Sequence, residues 1–312
     1  MKAILYKKSK PKSILEYSEI DKPFPKENEI LVQIHASSIN AADYRLIQMG
    51  FPPKKKIFGA DISGVVESIG AKVKNFKPGD QVVGDLANSG FGGFAEYVAV
   101  EESLLVHKPE NLSFEEAAAL PLAGVTALQA IRDKGNVQRK DSILIDGGGG
   151  GVGTFAIQIA KFLGSHITVI CSERNTEQSK KLGANIVIDY NKDDFTKMET
   201  RYDLILAVNG NHSLGEYKSS LKENGRFVLI GGKFWHIIKS LFLVKLLSFG
   251  SKKMHVLMAK VTPKDLKIIS RLAQSGKIKP IIEKVYPLEQ TWEAMQYVAQ
   301  GHAKGKVIIK VK

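Results

Sequence analysis

The sequence predicts an α/β protein in two parts, one β-rich and one a doubly wound parallel sheet covered by helices. Three observations carry this. The first hundred residues hold short apolar or alternating runs closed by turn residues, with little helical period. From about residue 113 to 235, apolar strands alternate with helical patterns, the signature of a parallel sheet buried on both faces. Where the first of those strands meets its helix stands a run of five glycines, residues 147–151.

The elements follow in order. ILVQIHASSIN (30–40) and SGVVESIG (63–70) read as strands. Lys77-Pro78-Gly79-Asp80 is a turn leading into a strand at 81–84, and GGFAEYV (92–98) begins another. Ser113 with Glu116 three residues on is a capping box opening a helix. SILI (142–145), HITVIC (166–171), NIVID (185–189), YDLILAV (202–208) and RFVLIGG (226–232) are strands, with helices over 153–164 and 177–183. A helix is expected around 263–275, then extended pieces ending in a strand at 306–310.

At 312 residues, 44% apolar and 25% charged, the chain is long enough for two cores of ordinary soluble composition. A single cysteine, Cys171, excludes an intramolecular disulfide and every multi-cysteine zinc site. The opening MKAILY passes quickly into charged residues without a secretory apolar core, so a cytoplasmic setting is expected. The net charge of +13 favours anionic ligands, lipid or nucleic acid. The lysines are nevertheless spread along the chain, with only Lys54, Lys55 and Lys56 in a tight run, so a solvated lysine-rich surface is the simpler reading. No sequence-specific nucleic-acid contact is expected. FWHIIKSLFLVKLLSF (234–249) is too short and too charged to span a bilayer. Spaced helically, its Trp235, Ile238, Leu241, Phe242 and Leu246 form one apolar face, suited to packing on the protein or to peripheral membrane contact.

The strongest chemical signal is SILIDGGGGGVGTFAIQIAKFLG (142–164), in which Gly148, Gly150 and Gly153 satisfy G-x-G-x-x-G between a strand and a helix. A dinucleotide pyrophosphate needs backbone N–H groups at a helix N-terminus and no Cβ atoms holding it away. Gly148, Gly149, Gly150, Gly151, Val152 and Gly153 are therefore the candidate phosphate cradle. The next strand chooses the nicotinamide. Its end carries no acid for a ribose 2′-hydroxyl; Ser172 and Arg174 follow, groups that suit a 2′-phosphate, although Glu173 stands between them. NADPH is the expected cofactor.

Beyond the loop, GADISGVVESIG (59–70), KPGDQVVG (77–84), GGFAEYV (92–98), AALPLAGVTALQAI (118–131) and GHAKGKVIIKV (301–311) resemble, in order and over nearly the whole chain, the medium-chain dehydrogenases/reductases. The chain looks closest to the zinc-free quinone oxidoreductases, of the chloroplast-envelope homologue and reticulon-4-interacting type. The resemblance implies a GroES-like catalytic domain, residues 1–121 and 256–312, with a Rossmann NADPH-binding domain inserted at 122–255, and it implies a homodimer. Zinc members hold catalytic metal with a Cys, a Gly-His-Glu segment and a second Cys. The matching positions here are Asn40, Ala60-Asp61 and Leu122, too few donors for zinc, and no metal is expected.

Without a Lewis acid, the chemistry implied is hydride addition to a quinone or to an alkene conjugated with a carbonyl, with the developing oxyanion held by hydrogen-bond donors. In the family, the loop at residues 38–45 lines the substrate side of the nicotinamide. By that resemblance Asn40 polarises the carbonyl or holds the nicotinamide face, Tyr44 donates a hydrogen bond or a proton, and Asp43 fixes the loop. As turn and packing residues they have a purely structural alternative, and solvent is an alternative proton source. The same resemblance places Thr126, Tyr190, Asn209, Gly231 and Lys304 against the cofactor. A second class of function stays open: an NADPH-binding interaction protein with little turnover.

Overall fold

The computed structural model describes residues 1–7, 14–232, 243–244, 247–248 and 250–312. The chain forms two compact units: Met1–Val125 with Val261–Gly276 and Pro280–Lys312, and Thr126–Lys260 with Lys277–Lys279.

The first unit opens with the antiparallel pair β1 (Lys2–Lys7) and β2 (Ile14–Glu19). Then come β3 (Glu29–Ile39), α1 (Ala41–Gln48), β4 (Asp61–Ile69), β5 (Gln81–Asp85), β6 (Tyr97–Glu101), β7 (Leu105–His107) and α2 (Phe114–Ala118), with α3 (Pro121–Gln129) running from this unit into the second at Thr126. α2 begins where the capping box places it, Ser113 Oγ accepting from the Glu116 amide at 3.1 Å and Glu116 accepting from the Ser113 amide at 3.0 Å. β6 starts five residues later than the sequence pattern suggests, because Gly92 (φ +125) and Gly93 turn the chain first, Gly93 lying so close to Gly59 that a Cβ would meet its carbonyl at 2.8 Å.

The second unit alternates strand and helix: β8 (Ser142–Asp146), α4 (Gly151–Phe162), β9 (His166–Cys171), α5 (Thr176–Leu182), β10 (Ile186–Asp189), β11 (Tyr202–Ala207), α6 (Leu214–Ser219), β12 (Leu221–Leu229) and β13 (Lys253–Val256). Every pairing is parallel, in the order β10-β9-β8-β11-β12-β13, the doubly wound arrangement whose crevice lies at the carboxyl ends of the strands beside β8. Ile143, Leu144, Ile145, Leu204, Ile205 and Leu206 are completely buried, which is why these strands read as unbroken apolar runs.

The tail adds α7 (Pro263–Gln274), β14 (Ile282–Pro287), α8 (Thr291–Ala299) and β15 (Lys306–Lys310). β15 pairs antiparallel with β3 and parallel with β14, so the C-terminal strand lies within the seven-stranded sheet of the first unit. Two expectations need correction. Residues 41–48 are helix rather than loop, and the stretch before β15 contains a nine-residue helix rather than extended pieces only. α8 buries Ala294 and Met295 against Ile39, Ile47, Val307 and Ile309, so tertiary packing stabilises it more than any local period. Of the apolar face expected over 234–249, Trp235, Ile238, Leu241, Phe242 and Leu246 lie outside the described residues. Among the described residues no helix is long and apolar enough to cross a membrane.

Candidate active site

Each unit carries one candidate constellation. In the second, β8 ends in Asp146 and runs directly into the glycines. Gly147, with φ +97, reverses the chain, and the amides of Gly147 and Gly148 both donate to the Ile170 carbonyl of β9, at 3.0 and 3.2 Å. The glycines serve different ends. A Cβ on Gly148 would meet Val169 at 2.2 Å, one on Gly149 would meet Asn175 at 2.3 Å, and one on Gly153 would meet the Gly147 carbonyl at 2.3 Å. Gly150 has ordinary dihedrals (φ −86) and nothing within 4 Å of where its Cβ would stand. Its missing side chain therefore leaves open space at the start of α4. None of the amides of Gly150, Gly151, Val152 and Gly153 donates to a backbone acceptor among the described residues, and no side chain caps the helix. A cradle of unpartnered N–H groups at the positive end of a twelve-residue helix fits a dinucleotide pyrophosphate.

Asn209 and Gly231 close the base of this loop. The Asn209 amide donates to the Asp146 carbonyl at 3.2 Å, and Gly231 lies so close to β11 that a Cβ would meet the Val208 carbonyl at 2.4 Å. Asp146 is itself buried and accepts a 2.5 Å hydrogen bond from the Tyr217 hydroxyl. Burial raises its carboxyl to about 6, against the pull of that bond.

At the end of β9 stand Ser172 and Arg174. Tyr190 joins them because the parallel register sets Asp189 beside Cys171, and the Tyr190 amide donates to the Cys171 carbonyl at 3.3 Å. Glu173, the acid that opposes a 2′-phosphate, is paired with Lys192 at 3.1 Å. Sequence reasoning missed two residues here. One is Lys192. The other is Asn175, buried beside Gly149, whose Nδ2 donates to Ser172 Oγ at 3.3 Å while its Oδ1 has no partner. Thr126 is buried on α3 in this same unit. Lys304 belongs to the first unit, where its amide donates to Glu283 at 2.7 Å.

The first unit holds a buried polar cluster at the start of α1. Asn40 caps that helix; its amide donates to Asp43 Oδ2 at 2.8 Å, and Asp43 Oδ1 accepts from Gly59 at 3.4 Å. Asp43 thus ties the helix start to the segment before β4. Burial outweighs the bond from Asn40 and lifts its carboxyl to about 7. Asn40 Nδ2 donates to Asp61 Oδ2 at 2.9 Å, and Ser38 Oγ donates to the same oxygen at 2.7 Å. Asp61 Oδ1 accepts from the Leu122 amide at 3.0 Å. Tyr44 is half-buried on α1 beside Arg45, whose guanidinium stands 5.9 Å from its ring centre. No local pattern marks the cluster's cation. Lys306 is 3% exposed and sets its ammonium 2.6 Å from Asn40 Oδ1, 3.3 Å from the Ile39 carbonyl and 3.5 Å from Asp61 Oδ2.

Known proteins resemble both halves. Residues 26–110 match the alcohol dehydrogenase GroES-like domain, and residues 182–309 match the zinc-binding dehydrogenase model. The chloroplast envelope quinone oxidoreductase homolog of Arabidopsis thaliana is 33% identical over 95% of this chain and 94% of its own length. The chain belongs to the quinone oxidoreductase family of medium-chain dehydrogenases/reductases. Another relative in this family is the NADPH-dependent alkenal/one oxidoreductase, chloroplastic, of Arabidopsis thaliana, 32% identical over 94% of this chain and 74% of its own. The solved quinone oxidoreductase from Coxiella burnetii superposes with a TM-score of 0.88 at 30% identity, covering 100% of this chain and 99% of that one. As a quinone oxidoreductase family member, the protein is an NAD(P)H-type oxidoreductase.

This quinone oxidoreductase family member brings together Asn40, Asp61 and Leu122, the positions matched to the zinc ligands of other members. They do not fit zinc. Leu122 contributes only its amide, Asn40 Oδ1 is held by Lys306, and Asp61 Oδ2 already accepts from Ser38 and Asn40.

Proposed function

We propose that the chain is a zinc-independent, NADPH-dependent reductase of quinones or α,β-unsaturated carbonyl compounds. The reading is carried by the glycine loop, whose amides at 150–153 have no backbone acceptor among the described residues and where Gly150 leaves open space at the start of α4. Bound there, a reduced nicotinamide supplies hydride. A quinone then takes hydride and one proton to become a hydroquinone; an enone takes hydride at its β-carbon and a proton at its α-carbon. Asn40 is the donor for the developing oxyanion: Oδ1 faces Lys306 and one Nδ2 proton faces Asp61, neither of which engages the second Nδ2 proton. Tyr44 is a second donor on the same helix. Asp43, holding two amides, fixes the helix start.

NADPH over NADH is supported by the β9 end, where Ser172 and Arg174 stand and Lys192 pairs with the nearby acid Glu173. Metal independence is supported by the donor set around Asp61. Within this reading residues 1–121 and 256–312 form the catalytic domain and residues 122–255 the cofactor domain. Thr126 and Lys304 are further cofactor contacts. The molecule works as a cytoplasmic homodimer, β13 ending its sheet among the described residues with one edge for a second copy. The names of relatives that act on quinones or alkenals point to the same substrate class.

Steady NADPH oxidation with a panel of quinones and enones is the expected result. Arg174→Ala is expected to raise the Michaelis constant for NADPH about tenfold and that for NADH by less than about twofold; equal effects would refute the 2′-phosphate assignment. NADPH binding with no turnover across both substrate panels assigns the chain instead to the interaction class, with NADPH as a structural ligand.

A further inference from the structure

Four ionisable groups share the interior of the first unit: Asp43, Asp61, Asp85 and Lys306, each no more than 3% exposed. The register of β4 and β5 sets Asp61 directly opposite Asp85. Like charges in that arrangement repel, and burial together with the Asp61 charge holds the Asp85 carboxyl well above its usual range, as a neutral acid beside Asp61. Within the cluster Lys306 is paired with Asp61, its ammonium 3.5 Å from Asp61 Oδ2.

That cation is delivered by built-in geometry. Gly305, at φ +111, packs so tightly that a Cβ would meet the Ile281 carbonyl at 2.3 Å, and the β15–β3 register of Val307 with Ile39 brings the next residue, Lys306, to the cap of α1. An ammonium has three protons and no acceptor, and here it faces three oxygens: Asn40 Oδ1, the Ile39 carbonyl and Asp61 Oδ2. Its hydrogen bonds go to Asn40 Oδ1 and the Ile39 carbonyl and it is paired with Asp61 Oδ2 at 3.5 Å, so its nearest partners are all groups of the protein. The neighbour with a choice is Asn40, whose carboxamide can be turned over end for end.

We propose that Lys306 is a positioning residue that takes the place of a metal ion as the fixed cation of this site. It pins Asn40 Oδ1 so that Asn40 presents its second Nδ2 proton to the reacting carbonyl. The inference rests on the reductase reading for its catalytic consequence, but not for its geometry. Asp61 holds the other Nδ2 proton, so the two charges together fix the amide plane and its sense. A zinc ion polarises a carbonyl directly; the ammonium does so by orienting a neutral donor.

The test compares Lys306→Met with the double variant Lys306→Met/Asp61→Asn. The single variant leaves Asp61 buried without its counter-ion and is expected to fold poorly; the double variant removes both charges and restores the melting temperature. With a quinone or enone that the wild type reduces, the double variant is expected to lose kcat on the order of 10²-fold, while NADPH affinity by fluorescence stays within about twofold. Recovery of kcat with recovery of folding would overturn the proposal, because the lysine would then only neutralise Asp61. A second readout needs neither a variant nor turnover. In wild-type protein labelled with 15N-asparagine, the Asn40 carboxamide is expected as one pinned species with its Asp61-bonded proton protected from exchange. Exchange of both protons at free-amide rates would sink the proposal. Failure of the substrate panel with a protected Asn40 amide would count against the reductase reading and leave the positioning geometry standing.

Discussion

Asp43 is a carboxyl wholly removed from solvent, and the two amides it holds do not compensate its burial, so its carboxyl titrates near 7 in the fold and near the ordinary aspartate value when the chain unfolds. Between about pH 4 and pH 7 the folded state keeps a proton that the unfolded state has released, so this residue's contribution is full below pH 4 and lost as pH rises towards 7. The loss is at most about 4 kcal/mol. A carboxamide in its place cannot ionise. Asp43→Asn is therefore expected to melt furthest below wild type near pH 5 and to close part of that gap near pH 7.5, by thermal denaturation at the two pH values. Equal gaps would mean that Asp43 is ionised at both. Asn40, Asp43 and Tyr44 were legible as candidates because their loop resembles the family's. Lys306 was not. In GKVIIK it reads as the polar end of an alternating strand, and its partners Asn40 and Asp61 lie more than two hundred residues earlier, joined to it only by the β15–β3 and β3–β4 pairings. The family resemblance marks Lys304, two residues before it, whose amide donates to Glu283.

At the scale of elements, the loop and α4 separate the two jobs a glycine can do. Gly153 is needed by the protein, since its Cβ would meet the Gly147 carbonyl at 2.3 Å; Gly150 leaves space that the protein does not use. Gly153→Ala is therefore expected to lower the melting temperature, with an overpacking cost of about 1–3 kcal/mol. Gly150→Ala is expected to leave melting unchanged and to raise the NADPH dissociation constant about tenfold or more, since one methyl group stands where the phosphates approach. A Gly150→Ala protein that binds NADPH normally would show that the open amides are not the cradle. The strands around this loop were legible for a physical reason: residues buried on both faces leave no polar alternation to misread. α1 and α8 were not. α1 has only eight residues, and its cap side chain faces Lys306 and Asp61. α8 is stabilised by a core assembled from β3, α1 and β15, which no local window contains.

Across the whole molecule, 45 basic residues against 32 acidic ones leave a charge of +13. The lysines are spread along the sequence, and a net charge of this size acts as a field. NADPH and NADH differ by one phosphate, about −2 charge at neutral pH, and therefore respond to that field differently. Close contacts, such as the one assigned to Arg174, are screened little by salt, whereas steering from charges beyond about 10 Å is lost near 0.1 M ionic strength. Raising salt from about 20 to about 300 mM is thus expected to lower kcat/KM for NADPH several-fold and that for NADH less, with kcat at saturation nearly constant. Arg174→Ala is expected to lower the NADPH value at every salt concentration while leaving its salt slope nearly as steep, because the lysines remain. If instead the slope vanishes with Arg174, the field is irrelevant and one contact carries the discrimination; if the two cofactors share one slope in the wild type, the 2′-phosphate is not read electrostatically at all.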